Sequence, residues 1–213
     1  MKRIVVLAFM ALSMAVMAQK VTPLTIELVD LRIDSLRSLY SSEPTMYRAS
    51  LEVVAQELAK NEKQVKAAKT ELKTEQAHAK EMENSLAQAT KMTESLRKLY
   101  TKEEETLKSM QKVIEKQQRT LNKHKELNEE TRQNYQQLLE TQQREFGASL
   151  REVATRQRSL ADMEVTIQDG YTTLQAYEQE LMLKATELAR LEARLKELTA
   201  TLKAEQKNAK GLK

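Results

Sequence analysis

The residues of this chain that could carry chemistry are not spaced as a metal site or a catalytic site requires. His78 and His124 are the only histidines, they lie 46 positions apart, and the chain has no cysteine. A zinc site needs several Cys, His or carboxylate ligands at short spacing, such as the two histidines of H-E-x-x-H. The sequence therefore predicts no metal ligands and no bound cofactor.

Carboxylates are abundant, with 31 Asp and Glu residues. On a solvated helix, nothing shifts the pKa of a carboxylate toward a catalytic value. A nucleophile would need a base and an orienting group held in a cleft. A phosphate-binding loop would need clustered glycines, and the chain has only three. We expect no catalytic and no cofactor-binding residues, and we interpret Tyr100 and Tyr177 as packing residues.

The elements that must position these side chains are predicted to be long helices. The chain has 213 residues but only 3 Gly, 2 Pro, 2 Phe and no Trp, while 31% of its residues are charged. The turns and bulky side chains of a compact domain are both scarce, and this composition is typical of long helices and coiled coils. After Pro44 the chain contains no proline, which permits helices of unusual length.

The opening segment, MKRIVVLAFMALSMAVMAQK, has the pattern of an export signal. Lys2 and Arg3 precede about 14 apolar residues, which would form a helix of roughly 21 Å, whereas a membrane span needs about 20 such residues. We predict a signal peptide over residues 1–18, cleaved between Ala18 and Gln19. An uncleaved anchor and a buried helix are the alternatives. Without cysteine no lipid can be attached at the new terminus, so the sequence predicts an exported periplasmic or secreted protein with no membrane span after cleavage.

The charge of the mature chain argues against nucleic acid as a partner. Removing Lys2 and Arg3 leaves 33 cations against 31 acidic groups, a net charge of +2. Opposite charges are interspersed along the chain, as on a solvated helix surface. We therefore expect no nucleic-acid binding.

Residues 19–42 are predicted to form a short amphipathic segment. Thr22 before Pro23 fits the start of a helix, and leucines then follow at helical spacing. Alternation of apolar and charged residues over 29–34 fits a strand instead. The helix is the favoured interpretation, with the next helix beginning at Ser42-Glu43-Pro44 through a serine cap and a proline in the first turn.

Residues 43–136 are predicted to form a first coiled-coil segment, because apolar residues recur every seven positions. The second core position of the same heptad is weaker, since it includes Asn61, Ala68, Glu75 and Glu103, which predicts a loose interface. The first core position is occupied by Leu51, Leu58, Val65, Leu72, Ala79, Leu86, Thr93, Tyr100, Leu107, Ile114 and Leu121.

Residues 137–211 are predicted to form a second coiled-coil segment in a new register, and the polar stretch at 117–136 before it marks either a stutter or a bend. Its second core position includes Arg156, Gly170 and Lys184. Because a heptad seam cannot bury its leucines alone, we expect these residues to associate either with another copy or with the other half of the chain. This predicted helix-association seam consists of Leu139, Phe146, Val153, Leu160, Ile167, Leu174, Leu181, Leu188, Leu195 and Leu202.

One turn signal interrupts the second segment. Asp169-Gly170 fits the end of a helix, and Thr172 with Gln175 fits a capping box for a new one. The seven-residue spacing nevertheless passes through Gly170 without a phase change. The sequence leaves open a turn or kink at 169–171 and a continuous helix.

The predicted fold is all-α: a long, largely continuous coiled-coil helix or a helical hairpin, preceded by a short amphipathic helix. The predicted function is a non-enzymatic scaffold, spacer or adaptor of the cell envelope that acts through helix–helix association. Its partner would be a second copy or another envelope coiled-coil protein.

Two resemblances give alternative functions. The signal, the missing cysteine, the Lys-rich helices and the weak second core position resemble periplasmic chaperones of the Skp/OmpH type. That resemblance implies a holdase, although that family brackets its helices with strands and no clear C-terminal strand is present here. A signal followed by a coiled coil also resembles murein-hydrolase activators, which implies a regulator of such an enzyme.

Overall fold

The computed structural model describes residues 20–28, 36, 43–124, 126 and 128–211. Two helices account for nearly all of them: α1, Pro44–Lys123, and α2, Glu129–Lys210. No strand occurs within these ranges. The two helices pack against each other, so the all-α prediction is confirmed and a helical hairpin is consistent with the structure.

Helix α1 begins where the sequence indicates. Pro44 is its first residue, a position where the missing amide hydrogen removes no intrahelical bond. The Tyr47 amide donates the first turn's hydrogen bond to the Glu43 carbonyl at 3.0 Å. The predicted cap at Ser42 lies outside the described residues.

The helix expected to begin at Thr22 and Pro23 is wrong at that point. Residues 20–28 have no regular structure, and Leu36 is the one described helical residue before α1. The rest of the predicted amphipathic helix, apart from Leu36, lies outside the described residues, and so does the alternating stretch at 29–34. The local leucine spacing is overridden because the backbone of 20–28 forms hydrogen bonds with side chains of α1, as described below.

The chain reverses between the two helices and not at 169–171. Asp169 and Gly170 lie inside the continuous helix α2, so of the two alternatives left open by the sequence the continuous helix is the one observed. The reversal lies between Lys123 and Glu129, within the polar stretch that the sequence marked as a stutter or a bend. Asn128 starts α2 as its N-cap, because its side-chain oxygen accepts a hydrogen bond from the Thr131 amide at 2.8 Å.

The described chain divides into two compact units. The terminal unit contains residues 20–83 and 173–211, and the loop-end unit contains 84–172. Within each unit, the residue numbers of the partners on α2 decrease as the residue numbers on α1 increase, so the two helices are antiparallel there. The pairs are Glu62–Thr199 and Lys69–Glu192 in the terminal unit, and Thr90–Tyr171 and Arg97–Glu164 in the loop-end unit.

The core of both units follows the seven-residue spacing. In α1, Tyr100 and Leu121 are half-buried and the other nine residues of the first seam are buried. In α2, Phe146 is half-buried and the other nine residues of the second seam are buried. Full burial of a leucine contributes about 1.5–3 kcal/mol, so these rows supply most of the apolar stabilisation. Both rows of apolar residues are therefore buried within the chain itself.

Candidate interaction sites

The charged residues at the weak core positions pair across the two helices. In the terminal unit the Lys184 amine donates to a Glu75 oxygen at 2.8 Å, and both residues are buried. In the loop-end unit one nitrogen of Arg156 donates to both Glu103 oxygens, at 3.0 and 2.9 Å. A buried charge is tolerated only when it is paired and hydrogen-bonded, so these contacts favour one alignment of the helices.

This pairing was visible in the sequence but was missed. Glu75 and Glu103 are 28 residues apart on the first helix, and Arg156 and Lys184 are 28 apart on the second. Opposite charges at core positions, at the same spacing of four heptads, indicate that the two helices pair in one register, and the structure shows that they do so antiparallel. The prediction of a loose interface treated each polar residue alone and not as half of a pair.

An extended segment of the N-terminal region lies on the terminal unit. We call residues 20–28 the strap. The Thr22 amide donates to the second oxygen of Glu75 at 2.9 Å, and the Glu27 carbonyl accepts a hydrogen bond from the Asn61 side-chain amide at 2.8 Å. Asn61 and Glu75 occupy the same heptad position of α1, two heptads apart. The strap therefore runs antiparallel to α1 and is fixed near both ends by its main chain.

The side chains of the strap alternate in burial. Leu24, Ile26 and Leu28 are half-buried, whereas Thr25 and Glu27 are exposed. A period of two is the pattern of an extended chain with one face on a support. The leucines that suggested a helix are thus partly buried as alternate residues of an extended segment.

The environment of Glu75 keeps its carboxylate ionised. Burial by itself would raise the pKa of Glu75. The hydrogen bond from Lys184, the bonds from the amide and hydroxyl of Thr22 and the charge of Lys184 outweigh this effect and leave the pKa below its usual 4.5. Nearby, burial raises the pKa of Tyr177, and the negative charges of Glu75 and Glu180 raise it further.

A second candidate site is a cleft of about 450 Å³ in the loop-end unit, beside the reversal. Its exposed apolar side chains are Tyr135 and Leu138, each 53% exposed. Lys116 is the only Lys, Arg, Asp or Glu among its lining residues. We call this feature the loop-end cleft; it is lined by Lys116, Gln117, Thr120, Leu121, His124, Tyr135, Leu138, Leu139 and Gln142.

The two histidines are not brought together. His78 is exposed and its Nδ1 lies 3.6 Å from Glu81, one turn further along α1. His124 follows α1 and lines the loop-end cleft. Among the residues that the structure describes, no group of three or more His, Cys, Asp or Glu side chains is placed to hold a metal ion.

Of the other residues named from the sequence, Ala18 and Gln19 lie outside the described ranges, so cleavage between them stays a prediction. No helix within those ranges combines the length and the apolar character needed to cross a membrane. Comparison with models of protein families, with curated proteins and with solved structures finds no match.

Proposed function

We propose that this protein is a non-enzymatic, exported scaffold or adaptor of the cell envelope, built on an antiparallel coiled coil, and that it associates with a second copy through the loop-end cleft. The coiled-coil assignment is supported by seven-residue rows that are buried on both helices. Export is supported by the opening segment of the sequence.

The burial of the α2 seam changes where association is expected. Because the row from Leu139 to Leu202 is already covered within the chain, a second copy needs a different surface. The observation that carries the proposal is the pair of exposed apolar residues, Tyr135 and Leu138, on the nearly uncharged loop-end cleft. The cores of protein interfaces are depleted in charge and favour tyrosine, and this cleft combines a single charged residue with an exposed tyrosine.

A second copy fits this surface because association about a twofold axis brings identical patches together. Two like copies of a strongly charged patch would repel each other, but the single Lys116 leaves little repulsion to overcome. The same association would place two pairs of α1 and α2 side by side at their loop ends, as a spacer or scaffold requires.

The test is the mass of the mature chain, residues 19–213, measured by light scattering after size exclusion. We expect a dimer, with Leu138→Glu reduced to a monomer because a buried, unpaired charge opposes association. Leu183→Glu is the matched control, since Leu183 is an exposed leucine of the terminal unit and its replacement should leave the dimer intact. A monomeric wild-type chain, or equal dimers in all three samples, would refute association through this cleft.

Export is tested separately by N-terminal sequencing of protein recovered from the cell envelope. A mature terminus at Gln19 is the expected result. Recovery of the chain with Met1 still attached, or in the cytoplasmic fraction alone, would contradict the exported role.

A further inference from the structure

The strap is held to α1 at two points that recognise main-chain groups. At one point the backbone amide of Thr22 donates to Glu75, with a contribution from its hydroxyl, and at the other the backbone carbonyl of Glu27 accepts from Asn61. The side chains of Thr22 and Glu27 are exposed. The Glu27 contact therefore does not involve the side chain at that position, and the Thr22 contact involves its side chain only through the hydroxyl.

The anchoring residues on α1 are covered when the strap is in place. Asn61 is 5% exposed and Glu75 is 8% exposed. If the strap left, Asn61 would keep its contact with Gln64 and Glu75 would keep Lys184, but each would lose one main-chain partner that another extended segment could replace. Ala68, which lies one heptad from each anchor, is a small buried residue.

The spacing of the anchors suits an extended chain. Glu75 and Asn61 are two heptads apart, or roughly 21 Å along a helix. From Thr22 to Glu27 is five residues, roughly 16–17 Å when extended, and the side chains of the anchors cover the difference. A helical segment of five residues would span only about 7.5 Å and could not reach both.

We propose that the surface of α1 that the strap covers between Asn61 and Glu75, which we call the groove, is a binding site for extended polypeptide, and that the strap is its built-in competitor. The partner is an unfolded or extended segment of another protein, with apolar residues at alternate positions and a free amide and carbonyl about five residues apart. The strap shows this chemistry directly, since Leu24, Ile26 and Leu28 are half-buried at alternate positions while the main chain makes the polar contacts. The proposal does not depend on association through the loop-end cleft.

The experiment uses the mature chain and three fluorescent ten-residue peptides, followed by anisotropy. The first peptide is the strap sequence preceded by Gln19, QKVTPLTIEL. The second has an unrelated sequence with the same alternation, and the third is the second with proline at the position of the docking amide, which removes the donor.

Two protein variants change the competitor and leave the groove intact, and a third also changes the groove. Thr22→Pro removes the strap's amide hydrogen, and Thr22→Val is the matched control that keeps it while losing the hydroxyl. A hydrogen bond to a charged group corresponds to roughly a 10- to 100-fold change in an equilibrium. We expect Thr22→Pro to bind the first two peptides about that much more tightly than wild type, and Thr22→Val to change by less than about fivefold. Adding Asn61→Leu to Thr22→Pro should weaken binding again, because leucine cannot donate to a carbonyl.

Displacement is also measurable in the otherwise wild-type chain, which does not rely on the folding of the proline variant. The chain has no cysteine, so Lys20→Cys gives a single site for a spin label on the strap. Adding the second peptide at a saturating concentration should increase the mobility of that label, whereas adding the third peptide should leave it unchanged.

Equal affinity of wild type and Thr22→Pro, equal binding of the second and third peptides, or an unchanged spin label would each overturn the proposal. Binding of QKVTPLTIEL without binding of the unrelated peptide would also overturn it. That result would indicate a groove specific for the strap and open only to exchange between copies.

Discussion

Replacing Gly170 by alanine tests the close contact of α1 and α2 in the loop-end unit. Both Gly147 and Gly170 lie inside helix α2, where alanine is favoured over glycine by about 0.5–1 kcal/mol. At Gly147 an added Cβ would have no neighbour within 4 Å, so Gly147→Ala should stabilise the protein by about that amount. This variant is the matched control.

At Gly170 the same methyl group would lie 2.6 Å from Cδ2 of Leu86. Carbon atoms in contact prefer about 3.5–4.0 Å, so the leucine must shift by about 1 Å. Leu86 is buried and its side chain has little room to shift, so overpacking of this kind costs about 1–3 kcal/mol, which matches or exceeds the gain in helix propensity. We expect Gly170→Ala to be about 1–3 kcal/mol less stable than Gly147→Ala.

The measurement is urea unfolding followed by circular dichroism at 222 nm, with each variant also made in a Leu86→Ala background. Without the leucine side chain, Gly170→Ala should become stabilising, while Gly147→Ala should have the same effect in both backgrounds. If Gly170→Ala were as stabilising as Gly147→Ala in the wild-type background, the close approach of Leu86 would be refuted. If the penalty persisted in the Leu86→Ala background, the cause would be the backbone at 170 and not this contact.

Three further predictions concern the buried polar residues of the terminal unit. Lys184→Met should lower the free energy of unfolding by about 3–5 kcal/mol because it leaves the Glu75 carboxylate buried without its cation; Lys69→Met, in an exposed ion pair, should cost under about 1 kcal/mol by the same urea assay. Because the pKa of Glu75 in the folded protein is below its usual 4.5, its stabilisation is complete above that pH and is lost as the pH falls through the lower value. The stability difference between wild type and Glu75→Gln, measured from pH 7 to pH 3, should therefore shrink on acidification, and a constant difference would contradict the assignment. Tyr47→Phe removes the hydroxyl that donates to buried Glu205 at 2.6 Å, so thermal unfolding should show a decrease of about 1–3 kcal/mol in the free energy of unfolding. An unchanged stability would contradict this hydrogen bond.

The helical architecture could be predicted because its signals are periodic and local. A repeat of seven fixes which face of a long helix is buried, and the structure buries the rows from Leu51 and from Leu139 with few exceptions. Pro44 fixed the start of α1 because it has no amide hydrogen to lose.

The strap could not be predicted from local spacing. Leucines at helical positions after Thr22 favour an amphipathic helix when that segment is considered alone. The polar contacts from Asn61 and Glu75 lie more than 30 residues away in sequence, and they instead hold residues 20–28 extended. The weak core positions of α1, interpreted as poor packing, are in fact where this segment is anchored.

The place of the reversal was similarly ambiguous. Asp169-Gly170 has the stronger local turn signal, whereas the stretch around Asn128 showed only a decay of the apolar pattern. Gly170 is accepted within α2 because its lack of a side chain makes room for Leu86, and not because it turns the chain. Asn128 followed by Glu129 and Glu130 was the available signal, since an N-cap before acidic residues favours the start of a helix.

The sequence by itself determined that this protein is helical, which rows of residues are buried and that no cysteine chemistry is available to it. Those properties follow from composition and from a period of seven residues that both described helices share. The tertiary structure alone decided that the two rows are buried within one chain, that Glu75 pairs with Lys184 and that an extended strap completes their site. Such pairings depend on which distant segments come into contact. Buried charges and main-chain groups are stabilised only by the partners that those segments provide, and local sequence does not specify these partners.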